Sequence, residues 1–414
     1  MNRRVSIHEF ESVSESDLGK DFTNLENLIL QNRGRGTEPV ELLSLSVKRG
    51  IGKIATARNY VGIITFYDGV ELEILPKIGS VYEDDADGIS RKIFLRMLQT
   101  VFDLPFKEFD TATSNSEKMS IFEFFIGMFV RETENLFKNG LSSSYFEVSR
   151  NEPFLKGRIN FSKNIRTNLV HKERFFVEYQ TYGLDRPENR LIKTTLSHLF
   201  DVSRESGNRR KINSLLHEIE AVPFSTDVEN DFSKVNIDRN MIGYQRIMRW
   251  CEIFLRNKSF TTFSGTNVLS SFLFPMDTLY EAYIAKTLER NLRDKVTVRL
   301  QNASGRLFDN SNRFRLRPDI LFEADDRRLV VDTKWKILVS DKDISESDMY
   351  QMYVYSRKYD AKKTILLYPK SLMNEVSFQS SKDGVNIDIC FVDMLEPEDS
   401  LRILGNRILK ELCI

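Results

Sequence analysis

The sequence predicts an α+β chain of several domains: a β-rich N-terminal domain over residues 1–112, a helical middle region over 113–265 and an α/β core over 266–414. Three observations carry that reading. Short apolar runs broken by turn residues dominate the first hundred positions. Apolar residues at three- and four-residue spacing dominate the middle. Beyond about residue 266 the two periods alternate, as packed helices and strands require.

Length and charge bound the rest. A chain of 414 residues holds two or three domains, each large enough to bury a core. Sixty basic residues balance sixty acidic ones, which disfavours coating nucleic acid by net charge and leaves local basic faces open. The three cysteines, Cys251, Cys390 and Cys413, form no Cys-x-x-Cys pair, and with four scattered histidines they offer no zinc-ligand spacing. A reduced, cytoplasmic setting is expected. The N-terminus reads as a strand and not as a secretory leader. The most apolar run, 121–130, contains Glu123 and is too short to cross a bilayer, so no membrane partner is expected.

In the N-terminal domain, strands are predicted over 5–10, 42–47, 53–57, 60–67 and 70–75, with Asp68-Gly69 as a hairpin turn. Asn32-Arg33-Gly34-Arg35-Gly36 reads as a glycine-flexed basic loop. Residues 91–102 carry Ile93, Phe94, Met97, Leu98, Val101 and Phe102 on one helical stripe. In the middle region, helices are predicted over 121–137 and near 189–204, 210–220 and 241–255. Two less regular segments interrupt them, Phe154-Leu155-Lys156-Gly157-Arg158-Ile159 and the stretch 182–190. The core begins with a helix over 275–291 and strands near 296–300, 314–322 and 329–338. A helix over 345–359, capped by Ser345, precedes strands at 364–368 and 387–392.

The chemistry concentrates in Arg317-Pro318-Asp319 and Val330-Val331-Asp332-Thr333-Lys334-Trp335-Lys336. Alternation puts Val331, Thr333, Trp335 and Ile337 on one side of a strand, and Asp332, Lys334 and Lys336 on the other. With Asp325 and Asp326 at the turn, Asp319 falls opposite Asp332. Directly opposed side chains lie about 4.5–5.5 Å apart at Cβ, and like charges there repel. A hard divalent cation, with Lys334 one pleat further on, is the natural filler.

These residues resemble the PD-(D/E)xK nuclease superfamily: Pro318-Asp319, then Asp332-Thr333-Lys334, with Glu281 on the preceding helix. Gln351-Met352-Tyr353-Val354-Tyr355 on the next helix matches the QxxxY element of one branch. The resemblance implies an α/β PD-(D/E)xK nuclease core. Asp319, Asp332, Lys334 and Gln351 would act in catalysis, Glu281, Asp319 and Asp332 would hold Mg²⁺ or Mn²⁺, and Tyr355 would touch DNA. Phosphodiester hydrolysis builds negative charge around phosphorus while water attacks and an alkoxide leaves, and a carboxylate-held cation offsets that charge. Read from its helix alone, Glu281 is equally a solvated rim residue, Gln351 a surface residue and Tyr355 a core residue.

Upstream stretches extend the likeness. Tyr60-Val61-Gly62, Leu75-Pro76-Lys77-Ile78, Leu155-Lys156-Gly157-Arg158-Ile159 and Asp185-Arg186-Pro187-Glu188-Asn189-Arg190, in that order, are similar to the McrC family. That family supplies the nuclease subunit of McrBC-type and LlaJI-type restriction systems. The similarity runs from about residue 60 to residue 360; the first fifty residues carry no matching stretch. It implies an McrB-like AAA+ GTPase ring as partner, which recognises modified DNA of the 5-methylcytosine type and translocates. The McrC-like chain docks through its N-terminal part, stimulates GTP hydrolysis and cuts double-stranded DNA. Gly50-Ile51-Gly52-Lys53-Ile54 lacks the spacing and the Ser/Thr of a phosphate-binding loop, so GTP would bind the partner and not this chain. Arg33 and Arg35 could reach the partner's nucleotide as an arginine finger does, or form an exposed tip. Arg158, Arg186 and Arg190 could contact DNA phosphates or serve as turns and caps. Two other functions stay open: a stand-alone repair or recombination nuclease, and a non-catalytic adaptor that activates a GTPase ring.

Overall fold

The computed structural model describes residues 3–32, 42–66, 70–78, 86–102, 121–237, 241–256, 268–301, 305–308, 311, 313–371 and 373–413. The chain divides into two units: Met1–Lys118 with Ser259–Ile414, and Met119–Lys258. The N-terminal β-rich segment and the C-terminal core therefore share one unit.

In that unit a four-stranded sheet runs Arg4–His8, Glu71–Leu75, Tyr60–Phe66, Val268–Pro275. The last strand, from beyond the middle region, pairs antiparallel with Tyr60–Phe66 and puts Leu273 opposite Gly62. Gly62 has φ +145, and a Cβ there would lie 1.8 Å from the Phe272 carbonyl oxygen. Only glycine admits that approach, which accounts for its place in Tyr60-Val61-Gly62. A second sheet orders Ser12–Ser14, Gly52–Ala57 and Leu43–Lys48. The helix Asp21–Asn32, absent from the sequence-based reading, buries Phe22, Leu25, Leu28 and Ile29 in the same core as Leu43, Ala55, Ile64 and Leu72. Thr23, Asn24 and Asn27 are weak helix formers, and burial of the apolar stripe overrides them.

The C-terminal core is a six-stranded sheet ordered Thr297–Leu300, Ile320–Ala324, Arg327–Thr333, Lys363–Pro369, Asn386–Val392, Val376–Gln379. Its three central strands are parallel. Buried on both faces, they read as near-continuous apolar runs. Leu321, Val330, Leu366 and Ile389 share a core with Met352 and Tyr355 of the helix Glu346–Lys358. Val331, Ile365 and Leu367, of opposite parity, are equally buried. The helices Met276–Leu292 and Pro397–Leu412 also pack on this sheet.

The other unit holds the helices Ile121–Lys138, Pro187–Val202, Ser206–Glu218, Val228–Lys234 and Ile242–Arg256. It also contains structure that a mostly helical reading does not include. Ser144–Glu152 and Phe175–Gly183 form a long antiparallel ladder, with Arg158–Ile159 on its edge and the helix Phe161–Thr167 beside it. Along Ser144–Glu152 only Val148 is buried, so the apolar signal that marks a half-buried strand is weak. Glu123, the charge inside the apolar run, is buried and accepts from Ser203 Oγ (2.8 Å), Asn208 Nδ2 (2.8 Å) and the Arg204 and Glu205 amides.

Candidate active site

The core hairpin has the predicted register. Ile320 pairs with Val331, Leu321 with Val330 and Ala324 with Arg327, which sets Asp319 level with Asp332. Asp325 turns the chain at φ 48, a backbone that aspartate tolerates better than most residues.

Asp319 Oδ2 accepts from the Thr333 amide (2.6 Å) and Thr333 Oγ1 (2.7 Å). Asp332 is 1% exposed, and its Oδ2 lies 2.5 Å from Lys334 Nζ. Neither Oδ1 has a hydrogen-bond partner among the described residues. Burial raises the Asp319 carboxyl above its ordinary value, against the bonds from Thr333. Burial and then the Asp319 charge raise the Asp332 carboxyl. Burial alone would lower the Lys334 amine, but Asp332 and Asp319 outweigh it and hold the amine above its usual value. A buried carboxylate and a partly buried one thus share one ammonium, and both are held in an environment that disfavours their charged forms.

The predicted strand over 329–338 ends early, at Thr333. The Lys334 amide gives the last rung to Leu367 O (3.0 Å), and the Lys336 amide then bonds Lys334 O (3.0 Å). Trp335 leaves the sheet to be buried against the N-terminal segment. Its Nε1 donates to Glu9 Oε2 (2.9 Å), Lys77 Nζ donates to its carbonyl (3.0 Å), and the Tyr280 ring lies 5.2 Å away. The Lys77 amide also donates to Glu9 Oε2 (3.0 Å). These bonds fasten the residue after Lys334. Sequence reasoning missed Glu9 in this part; Lys77 was visible only as a member of Leu75-Pro76-Lys77-Ile78.

Burial, before any other influence, raises the Glu9 carboxyl above its usual value. The folded chain therefore holds that proton to higher pH than the unfolded chain does. Stability should fall as pH rises from the unfolded carboxyl value through the folded one. Glu9→Gln should flatten this part of the pH–stability curve in thermal unfolding; an unchanged slope would mean that Glu9 does not titrate as its burial requires.

Glu281 accepts from Gln301 Nε2 (2.8 Å); Arg317 donates to Gln301 Oε1, and the Gln301 amide bonds Asp319 O (2.8 Å). Burial and then Asp319 raise the Glu281 carboxyl, so the two acids feel each other. Gln351 Nε2 donates to Tyr355 Oη (2.7 Å). Burial and then the Asp332 charge push the Tyr355 hydroxyl up to about 12. Asp348, in the first turn of the helix Glu346–Lys358, acts electrostatically on both Asp332 and Lys334. Among the described residues no three His, Cys, Asp or Glu side chains are arranged as a metal-holding group.

Arg158, Arg186 and Arg190 belong to the other unit. Arg190 is held by Asp231 (2.6 Å) and Asp185 (2.6 Å), and Arg186 by Glu188 (3.1 Å), bonds that clamp the start of the helix Pro187–Val202. Arg158 is exposed on the edge strand, opposite Glu178. Arg33 and Arg35 lie outside the described residues.

A family model described as "McrBC 5-methylcytosine restriction system component" matches residues 55–369. A curated relative, "Type IV methyl-directed restriction enzyme EcoKMcrBC" of Escherichia coli (strain K12), is 24% identical over 277 residues, 63% of this chain and 79% of the relative. A solved structure of the "tetradecameric assembly of Thermococcus gammatolerans McrB AAA+ hexamers with bound McrC" contains a chain with a TM-score of 0.71 and 22% identity. That match covers 98% of this chain and 100% of the other. The "Thermococcus gammatolerans McrBC complex" solved by cryo-EM gives a TM-score of 0.49 at 22% identity, over 70% of this chain and 88% of that one.

Proposed function

This chain belongs to the McrBC 5-methylcytosine restriction system component family, and on that footing we propose that it is the system's DNA-cutting subunit. It hydrolyses phosphodiester bonds in double-stranded DNA with Mg²⁺, as a PD-(D/E)xK endonuclease, while an McrB-like AAA+ ring binds GTP and selects the DNA. The observation that carries this reading is the buried Asp332 level with the partly buried Asp319, with Lys334 Nζ 2.5 Å from Asp332. A non-catalytic adaptor has no need of two carboxylates whose charges oppose each other out of water.

The donor set suits Mg²⁺, which is bound through one or two carboxylates together with waters and substrate phosphate. Asp319 and Asp332 would hold it, with Glu281 at the rim. Bound there, the ion would offset charge at the phosphate and acidify a water. The chain's own groups do the rest. Lys334 presents an ammonium to the scissile phosphate. Thr333 fixes the Asp319 carboxylate by two bonds. Gln351 orients the Tyr355 hydroxyl beside Asp332.

Where the resemblance implies docking through the N-terminal part, we assign the partner surface instead to the middle unit. Around its ladder and short helix, Tyr145, Phe161, Ile165, Leu169, Val170 and Tyr182 are all exposed. A concentration of large apolar side chains of this kind marks a protein contact, and the ring would cover it.

Purified chain, the McrB-like partner, GTP and Mg²⁺ should together cut plasmid carrying 5-methylcytosine, and chelation of Mg²⁺ should stop cutting. Cutting that persists in chelator, or GTPase stimulation without any cutting, would overturn the reading.

A further inference from the structure

Between the edge strand Thr297–Leu300 and Arg317, the described residues 305–308 and 313–316 build an arm that the site does not use. Gly305–Arg306 pairs antiparallel with Arg315–Leu316, Arg306 lying opposite Arg315. The Leu307 amide extends the ladder to Phe314 O (2.9 Å), and the Phe308 and Phe314 rings meet edge to face at 5.8 Å. The arm's base is fixed to the core by one hydroxyl. Tyr359 Oη accepts from the Gly305 amide (3.2 Å) and donates to Leu316 O (3.0 Å). A Cβ on residue 305 would come within 2.5 Å of that oxygen, so glycine is the residue that seats here. The arm is thus a fastened element with its own aromatic clasp.

Its outward side chains are basic. Arg306, Arg313, Arg315 and Arg317 are exposed, and none makes an ion pair with a described residue. The neighbouring strands differ: Arg299 and Arg328 both pair with Glu323, at 2.5 and 3.0 Å. Arg317 feels Asp319 and Glu281, whereas Arg306, Arg313 and Arg315 have no carboxylate partner among the described residues, so this face of the arm favours a dense anion. The arm leads straight into Asp319. Arg315 lies four residues from it, so the two Cα atoms are at most about 14 Å apart. Duplex DNA carries one negative charge per ~1.7 Å of axis, so a DNA at the site would bring several phosphates within reach of these side chains.

We propose that this arm grips the phosphates of duplex DNA beside the scissile bond, through Arg306, Arg313 and Arg315, with Arg317 between the arm and the site. The proposal rests on the nuclease reading above, and it places DNA contact on residues that the motif does not include. Arginine suits the task because its planar fork matches phosphate oxygens. Such contacts set affinity and position and carry no base information, consistent with selection by the partner.

The test uses the full chain carrying Asp332→Ala, so that DNA stays intact, with and without Arg306→Gln, Arg313→Gln and Arg315→Gln together. Binding to an unmodified 40-base-pair duplex is read across a salt series, and thermal unfolding verifies the fold. The triple variant should bind at least about tenfold more weakly at low salt, and its slope of log K against log salt should be shallower by about 3. An unchanged slope with the fold intact would overturn the proposal. Unchanged DNA binding with loss of partner association would also overturn it, in favour of an acidic protein surface. Binding is read apart from cutting, so failure of the wild-type chain to cut would strike the nuclease reading alone.

Discussion

Asp332→Ala and Lys334→Ala should each lower DNA cutting by about 10³-fold, the first with little loss of stability. The Asp332 carboxylate is disfavoured by burial and by Asp319. Its removal relieves a like-charge contact and leaves the parallel strands at the centre of the core intact. Activity should fall because the site loses one of its two opposed acids and the partner of the Lys334 ammonium. Lys334→Ala leaves Asp319 and Asp332 with no ammonium between them, so it should cost stability as well as rate. Lys334→Arg should not restore cutting, since a planar fork cannot replace a compact point charge at 2.5 Å from Asp332 Oδ2. Supercoiled plasmid with the partner, GTP and Mg²⁺ provides the assay. If both alanine variants cut at the wild-type rate, the assignment is wrong.

Glu123→Ala should destabilise the middle unit by about 3 kcal/mol. The carboxylate serves Ser203 Oγ, Asn208 Nδ2 and the backbone amides of Arg204 and Glu205, at the junction before the helix Ser206–Glu218. Alanine would leave those donors without an acceptor in a buried place, and each such loss costs roughly 1–3 kcal/mol before water or relaxation recovers part of it. Glu123→Gln keeps one oxygen as acceptor and should fall between the two. The chain has two units, so urea unfolding should be followed by a probe in each. In Glu123→Ala the middle unit should unfold at lower urea and the other unit at an unchanged midpoint. A shift below about 0.5 kcal/mol, the range of ordinary surface substitutions, would show that Glu123 is not the anchor its bonds suggest.

What the sequence revealed depended on the range of the interaction responsible. The hairpin register was legible because it is local: alternation fixes the faces and Asp325-Asp326 fixes the centre, and the observed pairs follow. The end of that strand was not legible. Trp335 leaves the sheet for Glu9, 326 residues away in sequence, and no periodicity around Trp335 encodes such a partner. Arg190 behaves likewise, since its helix-start motif says nothing of Asp231. The ladder from Ser144 to Gly183 escaped because only Val148 and Val177 are buried on its two long strands, so the apolar signal of a half-buried strand is weak. The Asp21–Asn32 helix escaped for a different reason: its propensity is poor and its burial is decided by the sheets around it.

On the proposed function, Asp319 and Asp332 form a carboxylate pair built to hold a divalent cation. Mn²⁺ binding to the full chain, followed by the electron paramagnetic resonance signal of the free ion, tests it most directly and requires no cutting. The wild-type chain should bind Mn²⁺ at a site that Mg²⁺ competes for, and the double variant Asp319→Asn, Asp332→Asn should lose that site while keeping its unfolding temperature. Equal Mn²⁺ binding by the two chains would mean that Asp319 and Asp332 hold no cation.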